Sequence, residues 1–216
     1  GFARNSVSII ETMVKRDTSF NLGAPLSIAG PDVDMRINGT AFDIVGDEDH
    51  PGVSVFYDDE SGGDGATASQ AVYDSMNNPN QGKQIVGAEG DYGPHPEPSI
   101  RDDTDLIRNS GDPDARNVLN PNFLYNFTQS IASLADYRYS GNTYLSGRTE
   151  LGTEGSPAIT FVDGDLKLSG SGSGYGILVV TGTMDYSGAF DFDGLVLIIG
   201  EGSVDIRGAN KDITGG

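Results

Sequence analysis

Three copies of a short glycine-bounded pattern constrain the fold of this chain more than any other feature. Each copy has the form G-x-φ-x-φ-x-G, in which φ is apolar, and the copies span residues 164–170, 182–188 and 202–208. They begin 18 and 20 residues apart. Alternation of apolar and polar residues is typical of a β-strand with one buried and one wet face. The pattern therefore predicts a series of short strands that turn at glycines.

Two glycine-bounded segments with unbroken apolar runs lie between these copies, at residues 176–182 and 194–200. Unbroken apolar runs fit strands covered on both faces, so half-buried and fully buried strands are expected to alternate. One strand layer cannot bury its apolar face alone, and this spacing fits a chain that coils into stacked layers. We predict a mainly β, glycine-rich core, either a stacked-rung, β-solenoid-like structure or an antiparallel sandwich of consecutive hairpins.

The whole chain, residues 1–216, is interpreted as a single domain. Residues 47–118 are rich in Gly, Asp, Asn and Pro and break the strand pattern, with short helices expected only at 69–76 and 99–109. The expected segments are N-terminal strands at 20–46, a loop-rich insertion at 47–118, a helix at 119–138 and repeat strands at 157–216.

One amphipathic helix is predicted from about Pro121 to Tyr137. Asn120 is a natural N-cap, and Pro121 suits the first helical position. Large apolar residues recur at helical spacing along one side: Phe123, Leu124, Phe127, Ile131 and Leu134. We expect this stripe to cover a bare face of the sheet; the alternative is that it binds a partner helix.

Composition excludes several classes of function. The chain has 13 Lys and Arg against 32 Asp and Glu, for a net charge of −19, which would repel nucleic acid or an anionic membrane. Cysteine is absent, so disulfides, thiolate catalysis and iron–sulfur clusters are excluded. No nucleic-acid partner is expected, and the Asp-rich composition suits an extracellular, calcium-rich or salty setting.

The ends of the chain indicate a piece of a longer protein. The first residue is not methionine, and the last residues stop within the strand pattern. We expect truncation at the C-terminus and the loss of an export signal or N-terminal membrane anchor. No apolar run reaches the roughly 18 residues that a membrane helix requires, so no membrane contact is expected of this fragment.

No catalytic site is predicted. His50 and His95, the only histidines, each precede a proline in a loop-like stretch, where nothing fixes the ring as a catalytic triad requires. Paired carboxylates are uninformative in a chain with this many acids. The glycine-rich residues 170–174 and 61–65 lack the Lys-Ser/Thr of a phosphate loop and are interpreted as turns.

Calcium is the one cofactor for which the sequence offers candidate ligands. Acidic residues crowd the loop at 47–64, and calcium takes carboxylate and carbonyl oxygens. The candidate ligands are Asp47, Asp49, Asp58 and Asp59. Their spacing matches no EF-hand or calcium β-roll, so a solvated acidic loop is the alternative.

The glycine-bounded strands resemble those of a known family. Residues 32–47, together with 174–182 and 192–200, resemble the soluble portion of bacterial PilX-type pilus-assembly proteins, and the resemblance extends over about residues 20–50 and 157–216. In that family an N-terminal helix anchors the protein in the inner membrane or pilus fibre, and the β region lies outside the cytoplasm. The resemblance implies an extracytoplasmic structural or assembly component of a type IV pilus, with other pilus or envelope proteins as partners and no catalytic residue.

Two other functions are weighed against this role. A calcium- or carbohydrate-binding adhesive module would use tyrosines as stacking platforms: Tyr57, Tyr73, Tyr92, Tyr137, Tyr139 and Tyr144. A solenoid hydrolase would need a row of carboxylates, for which the wet strand positions offer Asp34, Asp165, Asp185 and Asp205. Bases are too few for the hydrolase, and stacked like charges repel without a cation. Asn38 and Asn126 begin formal glycosylation sequons.

Overall fold

The computed structural model describes residues 24–29, 34–39, 41–56, 65–74, 76, 79–91, 98–108, 121–199, 203–207 and 212–215. The described elements, in chain order, are β1 (Leu26–Ala29), β2 (Asp34–Asn38), β3 (Asp43–Val45), β4 (Val53–Phe56), α1 (Gly65–Asp74), α2 (Pro79–Gly82), β5 (Ile85–Val86), β6 (Ile100–Asp102), α3 (Thr104–Arg108), α4 (Pro121–Leu134), β7 (Tyr137–Ser140), β8 (Thr143–Leu151), β9 (Ala158–Asp163), β10 (Leu166–Val180), β11 (Met184–Ser187), β12 (Ala189–Ile199), β13 (Ser203–Arg207) and β14 (Asp212–Thr214).

The fold is mainly β, as predicted, and its strands form one curled sheet. The pairings between these strands are all parallel. Consecutive hairpins would instead give antiparallel pairs. Within the described residues, therefore, the strands are not joined as the hairpins of a sandwich.

The pairings follow three ladders. The first ladder contains β7, β9, the end of β10, the end of β12, β1, β4 and β6. The second contains the start of β8, the start of β10, β11, β13 and β2. The third contains the end of β8, the middle of β10, the start of β12, β14, β3 and β5. Three long strands thus bend from one ladder into another.

The spacing between the sequence repeats equals the offset between paired residues in neighbouring strands. Leu166 aligns with Met184 and Met184 with Val204, which reproduces the predicted offsets. The alternating apolar residues share one buried face in the larger of two apolar clusters: Leu166, Leu168, Met184, Tyr186, Val204 and Ile206. The predicted half-buried strands are confirmed.

Residues 170–174, interpreted as a turn, are instead part of β10. Gly172 and Gly174 align with Phe190 and Phe192 of β12, and a Cβ at either glycine would collide with the facing ring. Glycine is therefore required here to make room for aromatic side chains inside the curled sheet. The bend itself lies at Gly170, whose φ is 107°.

The N-terminal strands lie beside the C-terminal ones. β1, β2 and β3 pair with β12, β13 and β14 respectively. Three further strands fall in the segment interpreted as loop-rich: β4, β5 and β6 extend the first and third ladders. These strands have two to four residues, too few for alternation to be visible in the sequence.

The short helices also differ from their predicted bounds. Helix α1 begins earlier than expected, at Gly65, and ends at Asp74. In the second predicted helical stretch, strand β6 occupies residues 100–102, and α3 forms only after it.

Helix α4 covers the outer face of the first ladder. Phe127 and Ile131 pack against the second apolar cluster, which includes Phe161, Val179 and Leu197. Alternate residues of the same strands face the larger cluster, so these strands are covered on both faces, as predicted.

The helix ends at Leu134, three residues before the predicted end at Tyr137. The Asp136 N–H donates to the Ile159 carbonyl at 2.9 Å, and the Asp136 carboxylate accepts the Ile159 N–H at 2.9 Å. These bonds direct the chain into β7. Leu134, predicted to belong to the packed stripe, is 68% exposed.

Candidate functional site

The structure describes two of the four candidate ligands in the predicted calcium loop. One Asp47 carboxylate oxygen accepts the N–H groups of Asp49 and His50, at 2.8 and 2.7 Å. His50 Nδ1 lies 2.9 Å from both carboxylate oxygens. The hydrogen bond from His50 lowers the pKa of Asp47. Asp47 thus acts as a turn-forming carboxylate, whereas Asp49 is exposed; Asp58 and Asp59 lie outside the described residues.

The four aspartates considered for a carboxylate row do not align. Only Asp185 and Asp205 are neighbours, on β11 and β13. Asp34 aligns with Ser203, and Asp165 precedes β10, where its carboxylate accepts the Thr183 N–H at 2.9 Å.

The Asp185–Asp205 pair lies between basic residues in the same row. Lys167 aligns with Asp185, and Lys167 Nζ lies 2.9 Å from its carboxylate. Asp205 aligns with Arg36 on its other side and forms an ion pair with Arg207. The repulsion expected of stacked acids is therefore partly offset by bases in this row, although one carboxylate oxygen of Asp185 and one of Asp205 are buried without a hydrogen-bond partner.

A different acidic row lines a groove on the third ladder. Asp212 aligns with Asp43, and the register of β12 with β14 places Asp191 on the other side of Asp212. The three carboxylates line a groove of about 360 Å³ together with Ala41, Phe42, Gln84 and Ala189. This groove is the candidate functional site of the described chain.

The charges in the groove affect the pKa of Asp212. Partial burial raises its pKa above the ordinary value of 3.8, and the charges of Asp191 and Asp43 raise it further. Neighbouring strands are about 4.8 Å apart, so the carboxylates form a line and do not converge. The described residues include no group of three or more acidic or histidine side chains placed to hold one metal ion. The row can attract cations along its length.

Sequence reasoning missed this row. Asp43 and Asp212 each precede an isoleucine that faces the larger apolar cluster, Ile44 and Ile213, and this shared Asp-Ile pair was the available signal. Its meaning depends on the pairing of β3 with β14, which joins residues from opposite ends of the chain.

The remaining candidates are scattered. Tyr144 and Tyr137 are exposed, Tyr73 and Tyr139 are half-buried, and Tyr57 and Tyr92 lie outside the described residues. His95 also lies outside them. Of the two sequons, Thr128 of the second is buried on α4, whereas Asn38 is exposed. The four candidate tyrosines that the structure describes are distributed over α1, β7 and β8.

Comparison with protein-family models, with curated proteins and with solved structures gives no match to this chain. Among the helices that the structure describes, none has the length and apolar character needed to cross a membrane.

Proposed function

We propose that the chain is a non-enzymatic structural or assembly component of the bacterial cell envelope, of the kind represented by PilX-type pilus-assembly proteins. One observation carries this proposal. The two regions of resemblance, about residues 20–50 and 157–216, are far apart in sequence but are neighbours in all three ladders, through β1–β12, β2–β13 and β3–β14. The resembling segments thus belong to one scaffold, which supports a common structural role.

The proposal includes a solenoid-like arrangement in which the three ladders are successive sides of a coiled chain. It is supported by β8, β10 and β12, each of which leaves one ladder and enters another. Glycine at these bends fits the arrangement, because Gly170 and Gly176 have positive φ and lie against the backbone of β8 and β9 respectively.

The proposal also includes an extracytoplasmic location, in the periplasm or at the cell surface, and an N-terminal helical anchor of the kind that the resembling family carries. Its partners are other pilus or envelope proteins. The net charge of −19 supports protein partners over nucleic acid. The acidic groove is assigned no reaction, because its carboxylates lie in a line across three neighbouring strands and do not converge.

Deletion of the gene in the source bacterium tests this role. We expect fewer surface filaments in electron micrographs, and we expect the tagged native protein in the envelope fraction. Complementation with native protein should restore the filaments. Leu197→Asp should not, since a charge between two apolar layers costs several kcal/mol (roughly 2–5). Leu134→Asp, a matched change at an exposed position, should restore them. A cytoplasmic protein whose deletion leaves filament number unchanged would overturn the proposal.

A further inference from the structure

The two ends of the curled sheet differ in how they are covered. At one end, α1 packs against β2, β4 and β6, and its Val72 is buried in the larger apolar cluster. At the other end lie β7 and β8, which pair with β9 and β10 on one side only within the described chain. A parallel sheet that stops in this way leaves backbone N–H and C=O groups available for another strand.

The interior is less covered at the β7–β8 end. Tyr139 and Leu145 face the larger cluster but are half-buried, whereas the residues aligned with them, Val162 and Leu168, are buried. A Cβ added at Gly147 would meet no atom within 4 Å. Tyr144 is 61% exposed. Among the described residues, this end therefore has an accessible strand edge and a partly exposed apolar interior.

The charges on β8 identify the partner that fits this edge. Arg148 and Glu150 are exposed on the outer face, on either side of Thr149, which faces inwards. In an antiparallel pair of two β8 strands centred on Thr149, each Arg148 would lie opposite the Glu150 of the other copy. Opposite charges in directly facing positions stabilise a strand pair. A parallel pair of the two strands in register would instead place Arg148 opposite Arg148.

We propose that two copies of this chain associate head to head through antiparallel pairing of their β8 strands. A two-fold axis through Thr149 makes both Arg148–Glu150 contacts at once. The pairing also covers the exposed edge of β8. The opposite charges on either side of Thr149 complement the same strand in a second, antiparallel copy. For this reason a second copy is the occupant. This association does not depend on the proposed envelope role.

Sedimentation of the purified chain over a range of concentrations tests the pairing, at about 0.15 M NaCl so that the Debye length is about 8 Å and general repulsion is screened. We expect a reversible monomer–dimer equilibrium. Arg148→Glu and Glu150→Arg should each weaken the dimer about tenfold or more, because each places like charges opposite one another twice. The double variant should restore native affinity. Lys83→Glu, the same change of charge at an exposed residue after α2, should leave the dimer unchanged.

Cross-linking tests the register separately. The chain has no cysteine, so Thr149→Cys introduces a single thiol on the proposed two-fold axis. The Cα atoms of directly facing residues in an antiparallel pair are about 4.5–5.5 Å apart, within the roughly 4.4–6.8 Å that a disulfide spans between Cα atoms. Thr149→Cys should therefore give a covalent dimer on oxidation, and Ser146→Cys, displaced from the axis on the same strand, should not.

Circular dichroism confirms that each variant is folded before it is compared. A native chain that stays monomeric up to millimolar concentration overturns the proposal, as does a dimer that the double variant fails to restore. Equal cross-linking at positions 146 and 149 also overturns it, because it would mean random collision.

Discussion

At the residue scale, Asp212 occupies a position that costs the folded state free energy at neutral pH. Its pKa is raised above 3.8 by partial burial and by the charges of Asp191 and Asp43. A carboxyl with a raised pKa in the folded state takes up its proton before the unfolded chain does as pH falls. Its destabilising contribution is therefore full above the raised pKa and vanishes below 3.8.

Asp212→Asn should consequently stabilise the folded chain at pH 7. The increase in the free energy of unfolding, measured by urea denaturation of native and variant chains, should shrink with falling pH and disappear below pH 3.8. Asp47→Asn is the control of opposite sign. Its pKa is lowered by the hydrogen bond from His50, so its removal should destabilise at pH 7, and this loss should fade as pH falls. A stabilisation by Asp212→Asn that did not vary with pH would contradict the electrostatic explanation.

At the element scale, α4 shows how one apolar stripe serves two environments. Phe127 and Ile131 pack against the outer face of the first ladder, whereas Leu134, one turn after Ile131, is mostly exposed. Ile131 and Ala132 of the last turn lie on the sheet, and Ala132 is buried in the second cluster, so Leu134 is the apolar residue of this turn that leaves the packed face. The contribution of the helix to stability is therefore concentrated at Phe127, Ile131 and Ala132.

Phe127→Ala should destabilise the chain by about 2–3 kcal/mol, less than the roughly 3–5 kcal/mol of a fully buried phenylalanine, because the ring is half-buried. Leu134→Ala on the same helix should change stability by about 0.5 kcal/mol or less. Alanine forms helix well at both positions. The difference between the two losses of stability therefore measures the contribution of side-chain packing. Equal effects of the two substitutions in thermal or urea denaturation would show that the helix does not cover the ladder.

The sequence predicted some elements and missed others for identifiable physical reasons. The register of β10, β11 and β13 was readable because their repeats follow one another within about one coil of chain, at constant spacing. Residues 170–174 were misjudged because glycine disfavours strands on its own, and the room it makes for Phe190 and Phe192 is visible only once β12 is in place. The pairing of β3 with β14, and with it the acidic groove, joins distant segments whose shared Asp-Ile pair is too short to indicate by itself that they are neighbours.

At the scale of the whole molecule, the charge of −19 opposes the compact state through repulsion among acids. Rows such as Lys167, Asp185, Asp205 and Arg36 offset this locally, whereas the groove row of Asp191, Asp212 and Asp43 does not. Salt should therefore stabilise the chain. Two causes are distinguishable: general screening, and a specific cation bound by the loop that contains Asp47, Asp49, Asp58 and Asp59.

Thermal denaturation in NaCl and CaCl₂ at matched ionic strength separates these causes. We expect equal rises in Tm, because screening depends on ionic strength, with a Debye length of about 10 Å at 0.1 M, and because the Asp47 carboxylate is already engaged by Asp49 and His50. A bound calcium would add RT ln(1 + [Ca²⁺]/Kd), about 2.7 kcal/mol at a hundredfold excess over Kd. If calcium gave this larger shift and the double variant Asp58→Asn, Asp59→Asn abolished it, the loop would be a calcium site and screening alone would be wrong.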